Sequence, residues 1–303
     1  MSIISKFIAA IMALVTTLVG FFSDPDAGIA DLHDKIFAPT VKVDFAEKDE
    51  NAIRVMSFNI RCLNVGKDTW EDRIGIVTET INKSGADSVG VQEATTEWMA
   101  TLDKELTEYA WVGVGRDDGV NQGEFSSIFY LKEKYNLIDS GTFWLSETPE
   151  VPSLGWDAGC NRVCTWAVLE NKSTGEQYVH INSHFDHVGT KAREESVKLI
   201  LAHAEKYKDL PVVFTADMNV VEGSENYVQM TSGCLKDTKY LTDDSMNYLT
   251  YHDTKPSSHK GDVIDYVMVN GNFNVLSYKV VTAGIDNRYV SDHFPVYADL
   301  EIK

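Results

Sequence analysis

Three apolar runs in the last third of the chain each break into short polar clusters, and this pattern constrains the fold more than any other. PVVFTADMN closes on Asp217 and Asn219, GDVIDYVMVN holds Asp265, and YVSDHFPVYADL carries Asp292 and His293. Each run is rich in Val, Ile, Phe and Tyr and reads as a buried strand. An isolated buried charge is heavily penalised, so carboxylates at such strand ends need partners. Hard oxygen donors with an imidazole, gathered there, suit a divalent cation and phosphate chemistry.

The rest of the chain supplies matching pieces. IRVMSFNIR (53–61) is a strand with Asn59 just past its apolar part, and DSVGVQEA (87–94) is a strand ending on Gln92 and Glu93. Between them, residues 70–83 place Ile74, Val77 and Ile81 on one helical face, stopped by Ser84-Gly85. Further helices are expected over 96–106 and 190–207. A strand over 109–115 follows the first of these helices. FSSIFYL (125–131) and KYNLIDSG (134–141) suggest a hairpin across a charged turn. CTWAVLEN and QYVHINSHFD (164–186) form another, joined by Lys172-Ser173-Thr174-Gly175. No internal repeat appears. Two rounds of strands with helices outside imply an α/β (α+β) fold, a four-layer α/β/β/α sandwich with two packed mixed β-sheets.

Strand-end polar groups collect as Asn59, Glu93, His184, Asp186, Asp217, Asn219, Asp265, Asp292 and His293. A lone Asn or Glu there is usually a cap or turn. The ordered set FNIR, QE, NSHFD, ADMN, IDYV, SDH resembles the endonuclease/exonuclease/phosphatase superfamily, with a DNase I-like fold, over about residues 53–300. The resemblance implies Mg²⁺, with Mn²⁺ as a substitute, held by Glu93, Asn59 and Asp292. It implies that Asp217 orients or deprotonates the attacking water. His184 and Asn219 would contact the phosphate, and His293, aligned by Asp265, would act there as well. The usual Gly-Asp-Phe-Asn reads Ala216-Asp217-Met218-Asn219 here, which keeps both chemical groups. Residues 143–167 resemble a bacterial and fungal branch, and Trp156, Asp157, Arg162 and Trp166 are expected to wall the pocket. Arg162, Trp156 and Asp186 are the expected substrate contacts, the first through its planar fork.

Charge narrows the substrate. The chain has 27 basic and 46 acidic residues, a formal charge of −19, and no basic run to neutralise phosphates. Long nucleic acid is disfavoured against a small-molecule, sugar or lipid phosphate ester, diester or monoester. The uncharged stretch Phe7–Phe22 reads as a secretory h-region or an uncleaved anchor, with Gly28 and Ala30 marking a weak cleavage site. Residues 1–30 would then be a signal peptide or membrane anchor, 31–50 a linker and 51–303 the catalytic domain, placed outside the cytoplasm as a monomer. Among Cys62, Cys160, Cys164 and Cys234, the middle two could bridge in a loop or remain buried thiols. Three rival readings stand beside the phosphoesterase. One is an extracellular nuclease of the same superfamily. Another is a glycoside hydrolase using Glu93 with Asp217. The last is a non-catalytic, membrane-tethered binding module.

Overall fold

The computed structural model describes residues 45–63, 69–253, 261–282, 284–285 and 288–303. The apolar stretch 7–22 and most of the expected linker lie outside the described residues. Residues 45–50, assigned to that linker, pack on the domain: Lys48 bonds Gly85 O and Asp87, and Phe45 lies 5.7 Å from the Tyr297 ring. Among the described residues no helix is long and apolar enough to cross a membrane.

The first sheet is built from β1 (Ile53–Asn59), β2 (Ser88–Ala94), β3 (Tyr109–Val112) and β4 (Phe125–Leu131), extended by two strands from the end of the chain. The second contains β5 (Tyr135–Trp144), β6 (Val163–Asn171), β7 (Gln177–His184), β8 (Val212–Asp217), β9 (Lys236–Asp237) and β10 (Asp265–Val269). β11 (Phe273–Val280) returns to the first sheet, a short ladder of β12 (Gly284–Ile285) with β13 (Arg288–Tyr289) follows, and β14 (Val296–Ile302) closes the chain. The strand orders are β11-β14-β1-β2-β4-β3 and β5-β6-β7-β8-β10-β9. Both sheets are mixed. Each holds one parallel pair, β1/β2 and β7/β8, and antiparallel neighbours elsewhere.

The parallel pairs are crossed by helices, as parallel connections require. α1 (Trp70–Ser84) starts at a Thr69/Asp72 capping box and ends where Gly85 adopts φ 60°. Its buried face is Ile76, Val77 and Ile81, so Ile76 replaces the expected Ile74. α2 (Thr96–Glu105) packs beside it through Trp98, whose ring lies 5.9 Å from Trp70. α3 (Thr190–Glu205) and α4 (Glu225–Ser232) bury Val197, Ile200, Tyr227 and Met230 against the second sheet. The result is the four-layer sandwich.

A further expectation changes. The 125–131 and 134–141 strands do not form a hairpin. β4 pairs with β2 and β3, whereas β5 pairs with β6, so residues 132–134 carry the chain from one sheet to the other. A charged turn is equally suited to either job, and local sequence does not say which. The four cysteines are all free. Cys164 points into the core beneath α3, away from the loop that holds Cys160.

The sheets meet partly through polar groups. His180 spans Ser88 Oγ and Thr215 Oγ1, each at 2.8 Å, and Gln92 Nε2 donates to Asn182 Oδ1 at 2.7 Å. Gly90 leaves room for this seam, because a Cβ there would lie 2.0 Å from Thr215 Oγ1. At the edge, fully buried Asp87 accepts from Lys48, Lys134, Tyr135 Oη and the Arg54 N–H. Asp87→Ala is expected to lower unfolding stability by about 3 kcal/mol, because the Arg54 amide would be left buried and unpaired and Tyr135 Oη and two lysines would lose their carboxylate acceptor. Urea denaturation measures it, and a loss below ~1 kcal/mol would show that the cluster relaxes to water.

Candidate active site

Strand register assembles the site. His184 lies opposite Asp217 in the β7/β8 ladder, and Asp265 lies opposite Asp217 in the β10/β8 ladder. On the other sheet Asn59 sits beside Gln92, and the β2/β4 register slips between Val91 and Ala94. That slip turns Glu93 out of the pleat at φ 65°. Asn219, just past β8, sits at φ 47°. Left-handed backbone is costly for side-chain-bearing residues and persists where surrounding bonds fix it.

Those bonds are present. Asn59 Nδ2 reaches Glu93 Oε1 at 3.0 Å and Asp217 Oδ2 at 2.9 Å, joining the two sheets' carboxylates. The Cys62 amide donates to Glu93 Oε2 at 2.7 Å. The Asn219 amide N–H donates to Asp217 Oδ1 at 2.9 Å. Asn59 Oδ1 accepts the Arg61 N–H, which leaves it one lone pair. The Asn219 side chain spends one proton on Phe185 O and offers the other to His184 Nε2 at 3.1 Å. That pairing puts the His184 ring proton on Nδ1, an atom with no hydrogen-bond partner among the described residues and 4.0 Å from Glu124 Oε2. As arranged, Asn219 therefore holds His184 and has no amide proton left for phosphate. His293 Nδ1 meets Asp265 Oδ2 at 2.8 Å, and its Nε2 lies 3.8 Å from Asp217 Oδ2.

Charge states follow. Burial tends to lower the His293 pKa, but the Asp265 and Asp217 carboxylates outweigh it and raise it. Burial raises the Asp217 carboxyl above the usual carboxylate range, against the opposing pull of His293. Burial alone would raise Glu93 as well, yet the Asn59 and Cys62 hydrogen bonds hold it low and ionised. Burial keeps His184 neutral, reinforced by the charges of Arg162 and Arg116.

A cavity of ≈ 470 Å³ opens over these groups, lined by Glu93, His184, Asp217, Asn219, Asp292 and His293 together with Arg116, Glu124 and Arg162. Asp265 stands behind His293, and Asp186, 1 % exposed, stands behind Arg162. Three members of the expected wall are elsewhere. Trp156 is not among the residues lining the cavity, and its backbone N–H bonds Glu147. Asp157 caps the start of α3 through the Lys191 and Ala192 amides, and Trp166 packs on His203 and Tyr207. No sequence signal marks Cys62, Cys160 or Tyr251, which also line the cavity. Arg116 and Glu124 look like an ordinary acidic loop in sequence, but they pair at 2.6 Å inside it. A larger groove of ≈ 600 Å³ adjoins at Asn219 but contains none of the clustered carboxylates and imidazoles.

Ligand atoms of Glu93, His184 and Asp217 lie within 4.8 Å of one another, as do those of Asp217, Asp265 and His293. Carboxylates of this kind fit a hard divalent cation. Residues 56–293 match the Endonuclease/Exonuclease/phosphatase family. The chain belongs to this family. Its members are hydrolases of phosphoester bonds and generally depend on a divalent metal, and the chain is a phosphoester hydrolase of this class. An endonuclease/exonuclease/phosphatase protein of Bacteroides vulgatus is 36% identical, covering 84% of this chain and 100% of its own, with a TM-score of 0.78. A mannosyl-6-phosphatase of Bacteroides thetaiotaomicron VPI-5482 is 35% identical, covering 82% and 99%, with a TM-score of 0.77. An uncharacterized protein, L388, of Acanthamoeba polyphaga mimivirus is 25% identical over 159 residues; the match spans 50% of this chain and 59% of that relative. In this family member, Ala216 and Met218 of the ADMN segment are fully buried in the core. The departure from Gly and Phe thus falls on packing positions.

Proposed function

We propose that the chain is a Mg²⁺-dependent phosphoesterase that hydrolyses a small phosphate ester by in-line attack of water, acting as a monomer outside the cytoplasm. The observation that carries this reading is the convergence of Glu93, His184, Asp217, Asn219, Asp292 and His293 on one cavity, with Asn59 and Asp265 hydrogen-bonded to these lining groups. A glycoside hydrolase has no use for so many amides and imidazoles beside its two carboxylates.

Glu93, Asp292 and the free lone pair of Asn59 would hold the cation, with Mn²⁺ as a substitute. Bound there, it would neutralise charge developing on the phosphoryl group. Asp217 orients the water and takes its proton as the new P–O bond forms and the ester P–O bond breaks. His184 Nδ1–H donates to a phosphoryl oxygen and Asn219 fixes that imidazole. His293, held by Asp265, donates at the phosphate or to the leaving oxygen. The −19 charge supports a small or lipid-borne ester over a long polynucleotide, and similarity to a mannosyl-6-phosphatase supports a sugar phosphate. The apolar stretch 7–22 supports placement outside the cytoplasm.

EDTA is expected to abolish hydrolysis of p-nitrophenyl phosphate and bis-p-nitrophenyl phosphate by the full chain, and Mg²⁺ or Mn²⁺ to restore it. Absence of turnover on both esters, with no heat of Mg²⁺ or Mn²⁺ binding by calorimetry, would replace the enzyme with a binding module.

A further inference from the structure

The mechanism above does not use the buried guanidinium of Arg162. Arg162 lines the catalytic cavity, is 5 % exposed, and among the described residues its Nη1 has no hydrogen-bond partner. A buried guanidinium proton without an acceptor is costly, and such orphans ask for a ligand. The rest of the fork is anchored. Nε lies 3.5 Å from Asp186 Oδ2, and Nη2 lies 3.1 Å from His187 Nδ1. Asp186 is itself fixed, since its Oδ1 accepts the amides of Gly159, Val188 and Gly189. Arg162 is thus a preorganised donor whose Nη1 group is open.

Counting oxygens says what fills it. The phosphoryl group of a diester has two non-bridging oxygens, and that of a monoester has three, with close to two negative charges near neutral pH. With His293 serving the leaving oxygen, His184 Nδ1–H provides one seat, and the carboxylate cluster around Glu93 is where a cation would provide another. We propose that Arg162 Nη1 receives the third non-bridging oxygen of a dianionic phosphomonoester, so that this site selects monoesters over diesters. The inference rests on the phosphoesterase reading and names its substrate class.

The test compares p-nitrophenyl phosphate with bis-p-nitrophenyl phosphate, both with Mg²⁺, for wild type, Arg162→Gln and Arg162→Lys. Loss of a charge-assisted bond predicts a fall of about 100-fold in monoester kcat/KM for Arg162→Gln, with the diester falling less than ~3-fold. Inhibition by inorganic phosphate should weaken by a similar factor. Arg162→Lys, a point charge without the fork, should recover about 10-fold. Circular dichroism and thermal melting check that the variants fold. Equal falls on both esters, or an unchanged monoester rate, would overturn the inference while leaving the phosphoesterase intact. A wild type inactive on both esters would instead remove the reading beneath it.

Discussion

Asp217→Asn is expected to reduce kcat by at least about 10³-fold while leaving the fold intact, because it removes the proposed base without changing its volume. No other side chain touches as many members of the site. Its Oδ2 is 2.9 Å from Asn59 Nδ2 and 3.3 Å from His184 Nε2, and its Oδ1 accepts the Asn219 N–H at 2.9 Å. An amide in that place has one donor end and one acceptor end, and both neighbours along the carboxylate are donors. Whichever way the introduced amide turns, one N–H faces another, which costs about 1–2 kcal/mol. Removing a buried carboxylate offsets much of that, since burial already opposes its ionised form. Thermal melting should therefore move by only a few degrees. A variant retaining more than a tenth of wild-type kcat would remove Asp217 from the proposed base role.

The site was legible in sequence wherever a polar group closes an apolar run. NSH, ADMN and IDYV could be read as one cluster because neighbouring strands of the second sheet end at one level, as the His184–Asp217–Asp265 register realises, while SDH reaches the same place from just before the start of β14 in the first sheet. Loop contributions were harder to see. Arg116 and Glu124 reach the cavity through a turn between β3 and β4 whose composition is that of any solvated loop. Cys62 enters by its backbone amide as well as its thiol, and a lone cysteine after a strand carries no signal of either. The wall expected from residues 156–166 failed for the converse reason. Trp and Asp are as suited to capping and packing as to ligand contact, and Asp157 caps α3 while Trp166 packs beneath it. Arg162, by contrast, lines the cavity, where a fixed acid holds it. Sheet assignment of β4 and β5 was likewise invisible, since pairing depends on partners far away in sequence.

Asp265→Ala is expected to lower kcat by about 10²–10³-fold with little change in KM, through His293 and not through substrate contact. Asp265 is buried behind the imidazole, and its Oδ2 accepts from His293 Nδ1 at 2.8 Å. That bond leaves Nε2 facing the cavity and the Asp217 carboxylate, 3.8 Å away. Without Asp265 the ring loses the partner that sets its tautomer and rotation. Asp265→Asn should be no milder. An amide N–H turned towards Nδ1 forces that atom to accept and moves the ring proton to Nε2, while the other amide orientation places the extra N–H on the inner side, where Asp265 Oδ1 now has no partner. The decisive comparison is His293→Ala with the Asp265→Ala/His293→Ala pair. If Asp265 acts by positioning His293, the double variant is no slower than His293→Ala alone, because the second deletion removes support for a group already gone. Additive losses would mean that Asp265 works on Asp217 or the cation instead, and an Asp265→Ala enzyme within about 5-fold of wild type would mean that Tyr251, whose tilted ring lies 4.9 Å from the imidazole, suffices to hold it.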